Sequence, residues 1–146
     1  MNQRRRFGWL AGLLLLSGSP PLFACSCAEP PPPREALERA DAVFLGKVEQ
    51  LTLVGGVPGK LARVAATFAV QRSWKGVVEP RVVVETLADT GVCGYPFAQD
   101  KSYLVYASFL GDDVLHTNLC SRTAEAAAVH MDVMALGPGT PITASQ

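Results

Sequence analysis

The sequence predicts a small, mainly β domain with flanking helices, stapled by disulfides and made for export. Three observations carry this. Short segments rich in valine and aromatic residues, some alternating apolar with polar, are separated by glycine and proline clusters, the pattern of strands joined by turns. Four cysteines stand at positions 25, 27, 93 and 120, all downstream of a leader-like start. After that leader about 122 of the 146 residues remain, room for one domain with one core.

The leader has the three parts of an export signal: Arg4, Arg5 and Arg6, an apolar run from Trp9 to Leu16, and a small residue at Ala24. The run is far short of the roughly 20 residues a spanning helix needs, so residues 1–24 read as a removable signal peptide and no transmembrane segment is expected. Three of the 13 basic residues fall in the leader, which leaves 10 against 13 acidic residues and a mature charge of −3. A nucleic-acid partner is not expected of such a chain. Leu22 to Cys25 also partly match a lipoprotein signal, although Phe23 fits poorly and acylation of Cys25 would leave an unpaired cysteine. Secretion or a periplasmic location is therefore preferred over lipid anchoring.

Cys25-Ser26-Cys27-Ala28-Glu29 opens the mature chain, and Pro30 to Pro33 hold the next stretch extended. Arg34 to Arg39 has room for one or two helical turns. The expected strands are Ala42 to Val48, Arg63 to Val70, Arg81 to Thr86, Tyr103 to Phe109 and Val114 to Leu119. Gly55 to Gly59, the Trp74-Lys75-Gly76 turn, a loop from Ala88 to Gln99 and a turn at Gly111 to Asp113 separate them. Ala124 to Leu136 reads as a helix that Ser121 or Thr123 would cap, and residues 137–146 read as a flexible tail. Five strands and a closing helix match a small closed barrel of the oligonucleotide/oligosaccharide-binding (OB) type, while an open sandwich also accommodates them.

An oxidising compartment lets the cysteines pair and stay paired. A Cys25–Cys27 bond would close a very small ring, so the spacing points to two long-range links, each joining one cysteine of the arm to Cys93 or Cys120. Either arrangement closes loops of about 70 to 95 residues, each worth roughly 4 kcal/mol on the chain-entropy model.

Cys25-Ser26-Cys27, Ala40-Asp41-Ala42-Val43, Trp74-Lys75-Gly76, Val92-Cys93-Gly94, Tyr103-Leu104-Val105, Leu115-His116-Thr117 and Leu119-Cys120 together resemble the N-terminal, netrin-like domain of the tissue inhibitors of metalloproteinases (TIMPs). The resemblance covers residues 25–136, the cysteine spacings of 68 and 93 residues included. It implies an OB-fold barrel and bridges Cys25–Cys93 and Cys27–Cys120. It also implies a metalloprotease inhibitor that chelates its target's catalytic zinc through the free amino group and carbonyl oxygen of Cys25. Ser26 would enter the protease pocket beyond the metal, and Cys27, Ala28, Gly91, Val92 and Cys93 would complete the contacting ridge. Two departures stand out: no cysteine lies near Leu37, where the family's third bridge begins, and the family's C-terminal subdomain has no counterpart.

The Cys-x-Cys start also suits a stapled export domain that binds something else, because fold alone does not set function. A reduced Cys-x-Cys is a copper-binding or exchange motif, but the matching distant pair favours stable bridges. His116 and His130 lack carboxylate or histidine partners at ligand spacing and read as structural; Trp74, Tyr95, Tyr103 and Tyr106 read as core or rim. No serine elbow, zinc-protease helix or phosphate-binding loop is present, so neither catalysis nor a cofactor nor a metal of its own is expected, and the protein is expected to be a monomer.

Overall fold

Two 13-residue strands, β1 (Ala42–Val54) and β2 (Arg63–Lys75), pair antiparallel from Val43↔Lys75 to Val54↔Arg63. The register slips between Val43 and Phe44, between Leu45 and Gly46, and between Val48 and Gln50. Bulges of this kind bend a strand and increase its twist, which lets the first half of β1 pair with β2 and also with β4 (Ser102–Phe109), from Ala42↔Ala107 to Lys47↔Ser102. Strand β3 (Arg81–Leu87) lies antiparallel to β2. The short β5 (Leu115–His116) runs parallel to β3 and antiparallel to the end of β4. The order β1-β2-β3-β5-β4 and back to β1 is thus a ring of five strands in a computed structural model that describes residues 25–143. Strand accounts for 39% of the structure against 17% helix, so the domain is mainly β. The signal peptide expected at residues 1–24 lies outside the described residues.

The main core is built around an aromatic chain packed edge to face. Phe44 meets Phe68 at 5.4 Å, Phe68 meets Phe97 at 5.1 Å, and Phe97 meets Tyr103 at 5.0 Å between ring centres. Val48, Ala66, Val70, Val84, Val105 and Leu115 fill the space around them. Along β1 and β4 these residues alternate with a second set, Val43, Leu104 and Tyr106, which forms a separate cluster with Ala36 and Ala40. Ala36 belongs to α1 (Pro33–Arg39), whose first residue is the last of the four prolines, a position where a missing N–H loses nothing. Leu37 packs against this cluster together with Val133 and Leu136 of α2 (His130–Leu136). Apolar contact therefore stands where the resemblance would place a third bridge.

The Trp74-Lys75-Gly76 segment ties the periphery together rather than merely turning the chain. Trp74 and Lys75 still belong to β2; the Trp74 indole donates to the Gly137 carbonyl at 2.9 Å, and the Lys75 ammonium donates to the Leu37 and Glu38 carbonyls at the end of α1. Gly76 then takes φ 72° so close to Asp41 that a Cβ would sit 2.1 Å from its carbonyl oxygen.

Three expectations need correction. The fifth strand is limited to Leu115–His116 rather than running to Leu119, because the chain leaves β3 and turns back at Asn118 to reach Cys120. The helix expected over Ala124 to Leu136 is split into β6 (Ala124–Glu125) on the edge of β4, a 3₁₀ turn at Ala126–Ala128, and α2. Thr123 does not cap that helix; its hydroxyl is held by the Tyr106 N–H and carbonyl, which pins the segment to β4 and overrides the alanine preference for helix. Residues 137–143 do not form a flexible tail, since β7 (Thr140–Pro141) pairs with Arg72 and Ser73 of β2 and Ile142 donates to the Gln71 carbonyl.

Tyr106 supplies a test of this packing. Its hydroxyl is buried without a hydrogen-bond partner among the described residues, and the nearby Arg122 guanidinium donates to the Asp132 carboxylate and the Pro31 carbonyl. Burial first, and then the Asp132 charge, push the phenol up to about 12. The neutral form belongs to the folded state, so its contribution is complete below the ordinary value near 10 and is lost as pH rises from about 10 to about 12. Tyr95, raised by burial to the same range, adds to that loss. Tyr106→Phe is expected to leave neutral-pH stability unchanged or higher and to reduce the alkaline decline, as read from urea midpoints over a pH series. An unaltered alkaline limb would overturn this account.

Candidate functional site

The arm from Cys25 to Pro32 has no strand or helix of its own, so what holds it must come from other segments. Cys25 is bonded to Cys93 and Cys27 to Cys120, each with Cα atoms 5.1 Å apart, the same two pairs that the family resemblance implies. A third tie is Arg122, which donates to the Pro31 carbonyl at 3.0 Å while its other nitrogens fork onto the Asp132 carboxylate at 2.8 Å. The carboxylate thus fixes the guanidinium that fixes the arm, and it raises the arginine further above its already basic range.

Cys93 is presented by a tight turn. The Asp89 carboxylate accepts from the Gly91 N–H at 2.7 Å and starts the 3₁₀ turn Thr90–Val92, and the Cys93 and Gly94 N–H groups donate back to the carbonyls of Thr90 and Asp89. Cys93 itself lies in the left-handed region at φ 68°, uncommon for a residue with a side chain. Its carbonyl receives the Leu119 N–H at 2.9 Å, so the segments carrying Cys93 and Cys120 are already joined before either meets the arm.

Of the sequence-designated residues, Ser26, Cys27, Ala28 and Gly91 are exposed, while Cys25, Val92 and Cys93 are half-buried. The bridges bring Cys25, Cys27 and Cys93 together, with Ser26 held between the two anchored cysteines. Asp89, Arg122 and Asp132 carry no role in the sequence reading, and Gly94 enters it only within the Val92-Cys93-Gly94 motif. Asp89-Thr90-Gly91 carries a readable turn signal; the Arg122–Asp132 pair, across a broken helix, carries none. His116 has a partner after all: Asp112, four residues earlier, accepts from its Nε2 at 2.9 Å, and that hydrogen bond holds the Asp112 carboxyl below the usual range. The pair closes the β4–β5 turn, in keeping with a structural role.

A pocket of about 470 Å³ lies alongside the arm, lined in part by Pro30, Pro31, Tyr106 and Leu110. Its arginines are already committed, Arg39 to Glu35, Arg63 to Glu85 and Arg122 to Asp132. The arm offers different chemistry: Ser26, Cys27 and Ala28 are exposed on a segment anchored by two bridges. No protein-family model matches the chain, and no curated protein matches it.

Proposed function

We propose that the mature chain, beginning at Cys25, is an extracytoplasmic inhibitor of zinc metalloproteases that places the α-amino nitrogen and carbonyl oxygen of Cys25 on the catalytic zinc. The observation that supports this reading most is the paired anchoring of Cys25 and Cys27 on either side of an exposed Ser26. A catalytic zinc keeps one position open for water or substrate, and a terminal residue offers both ligand atoms in a five-membered chelate. An α-amino group titrates near 7.7 to 8.0, so it loses its proton to the metal easily at neutral pH. Two bridges and a run of prolines shape the ridge in advance, which lowers the ordering cost of association. We read the ring order β1-β2-β3-β5-β4 as the OB barrel of the netrin-like class, acting as a secreted or periplasmic monomer without catalysis of its own. The Cys25–Cys93 bridge uses the thiol that lipidation would acylate, which favours the unanchored form. No helix among the described residues is long and apolar enough to cross a membrane.

The test is inhibition of a panel of zinc proteases by the mature protein in the presence of a small hydroxamate chelator. Competition at the metal, with the two inhibitors mutually exclusive, is expected; simultaneous binding of both would place the contact elsewhere. Ser26 should set potency and selectivity, because it is the side chain held between the anchored cysteines. Ser26→Gly and Ser26→Leu are each expected to shift inhibition constants by about tenfold or more for some proteases with an unchanged melting temperature. A flat profile for both would remove Ser26 from the pocket.

A second reading, a binding module without inhibitory action, is favoured by one feature, the β1–β2 hairpin tip with its exposed Leu53, Val57 and Leu61. Failure of the mature protein to inhibit any protease of the panel would select it.

A further inference from the structure

The two disulfides lie against each other. The Cys93 and Cys120 sulfurs, which are not bonded to one another, are 3.8 Å apart, and those of Cys25 and Cys27 are 4.0 Å apart. All four Sγ atoms fall within 4.8 Å of one another. A tetrahedral zinc with zinc–sulfur distances of about 2.3 Å has sulfur–sulfur edges of about 3.8 Å. Of the four sulfur pairs that cross between the bridges, two lie at 3.8 and 4.0 Å, close to that length, and the other two lie within 4.8 Å. Only the bonded pairs are too close, and cleaving the bond removes the reason for it.

We propose that the fully reduced protein binds a single tetrahedral zinc ion through the thiolates of Cys25, Cys27, Cys93 and Cys120, a metal staple standing in for the two disulfide staples. Disulfide sulfurs are not thiolates, so the oxidised form has no ligands to offer. The chemistry runs in two steps. Each disulfide takes two electrons and two protons from a dithiol reductant, which becomes a cyclic disulfide, and the protein gains four thiols. Zinc then displaces four protons and is held by four sulfur anions, a set whose softness and tetrahedral geometry favour zinc over hard ions such as magnesium and calcium.

The ligands come from segments that differ in how they are held. Cys93 and Cys120 stay joined through the Leu119 N–H and Cys93 carbonyl whatever the state of their sulfurs. Cys25 and Cys27 sit on the arm, whose remaining ties are the Arg122 bond to Pro31 and the start of α1. Reduction alone therefore frees the arm, and metal binding recaptures it. Three of the four cysteines are half-buried, which limits access of water to the metal.

The proposal does not depend on protease inhibition and is tested without a protease. The mature protein is reduced with a dithiol under anaerobic conditions, freed of reductant and titrated with Co²⁺. The intense visible bands of tetrahedral cobalt and a near-ultraviolet thiolate charge-transfer band should rise to saturation at one equivalent, and one equivalent of Zn²⁺ should abolish them. Far-ultraviolet circular dichroism of the zinc form should match that of the oxidised protein. The oxidised protein should give no cobalt spectrum. Cys93→Ser and, separately, Cys27→Ser should weaken zinc binding by more than about 100-fold, beyond what loss of a merely supporting contact produces. A pale octahedral cobalt spectrum, saturation at any other stoichiometry, a zinc form that stays unfolded, or undiminished affinity in both variants would each overturn it.

Discussion

Adding one alanine before Cys25 is expected to raise the inhibition constant against zinc proteases on the order of 1000-fold, equivalent to about 4 kcal/mol, with no change in thermal stability. The amine becomes an amide, whose nitrogen lone pair is delocalised into the carbonyl and is a very poor zinc ligand. The extra atoms also occupy the space of the catalytic water. Neither effect reaches the fold, because the arm is held by the Cys25 and Cys27 side chains and by the Pro31 carbonyl, none of which involves the terminal nitrogen. Acetylation of the same amine should reproduce the loss, since it removes the ligand by a different added group. The measurement compares the free, extended and acetylated forms, matched for melting temperature, against several proteases. Equal inhibition by all three would refute chelation while leaving room for a surface contact.

Gly94→Ala should be the most destructive single methyl in the site's support, with a loss of about 3 kcal/mol, the upper end of overpacking effects. A Cβ at Gly94 would lie 2.0 Å from the Leu87 carbonyl oxygen, 2.7 Å from its carbon and 2.8 Å from the Asp89 oxygen. All three are backbone atoms, one pair at the end of β3 and the other in the turn that presents Cys93, so no side chain is available to swing aside. Relief requires the Cys93 turn to move, and with it the bridge to Cys25. Gly59→Ala is the control for strain without a clash: its φ of 83° is left-handed, but nothing lies within 4 Å of the added carbon, so its penalty should stay near the roughly 1 kcal/mol of conformation alone. Urea unfolding of both variants decides the matter, and a Gly94→Ala loss no larger than the control's would show that the loop yields freely. If the fold survives with a displaced turn, inhibition should weaken before stability fails.

Much of the architecture was legible because its signals are local. Alternation of apolar residues in Arg63 to Val70 and the valine-rich Arg81 to Thr86 marked strands that the structure contains, and Gly55 to Gly59 marked the hairpin turn between β1 and β2. Strand lengths were less legible. β1 runs on to Val54 although Thr52, Leu53 and Val54 are exposed, because its hydrogen bonds to β2, rather than burial, sustain it there. The alanine-rich segment departs from its local signal for the opposite reason: its composition favours helix, while Thr123 bonded to Tyr106 draws Ala124 and Glu125 into pairing with β4.

The sequence by itself determined that the chain has a leader-like start, short β segments and four cysteines spaced for two long links, since charge, hydropathy and spacing are properties of neighbours along the chain. Which cysteines pair, that the strands close into a ring, and that the four sulfurs share one small volume were decided only by tertiary structure. The physical reason is that these contacts join residues 68 and 93 positions apart, and their geometry depends on bulges in β1, on the left-handed turn at Cys93 and on a backbone approach at Gly94 that leaves no room for a side chain.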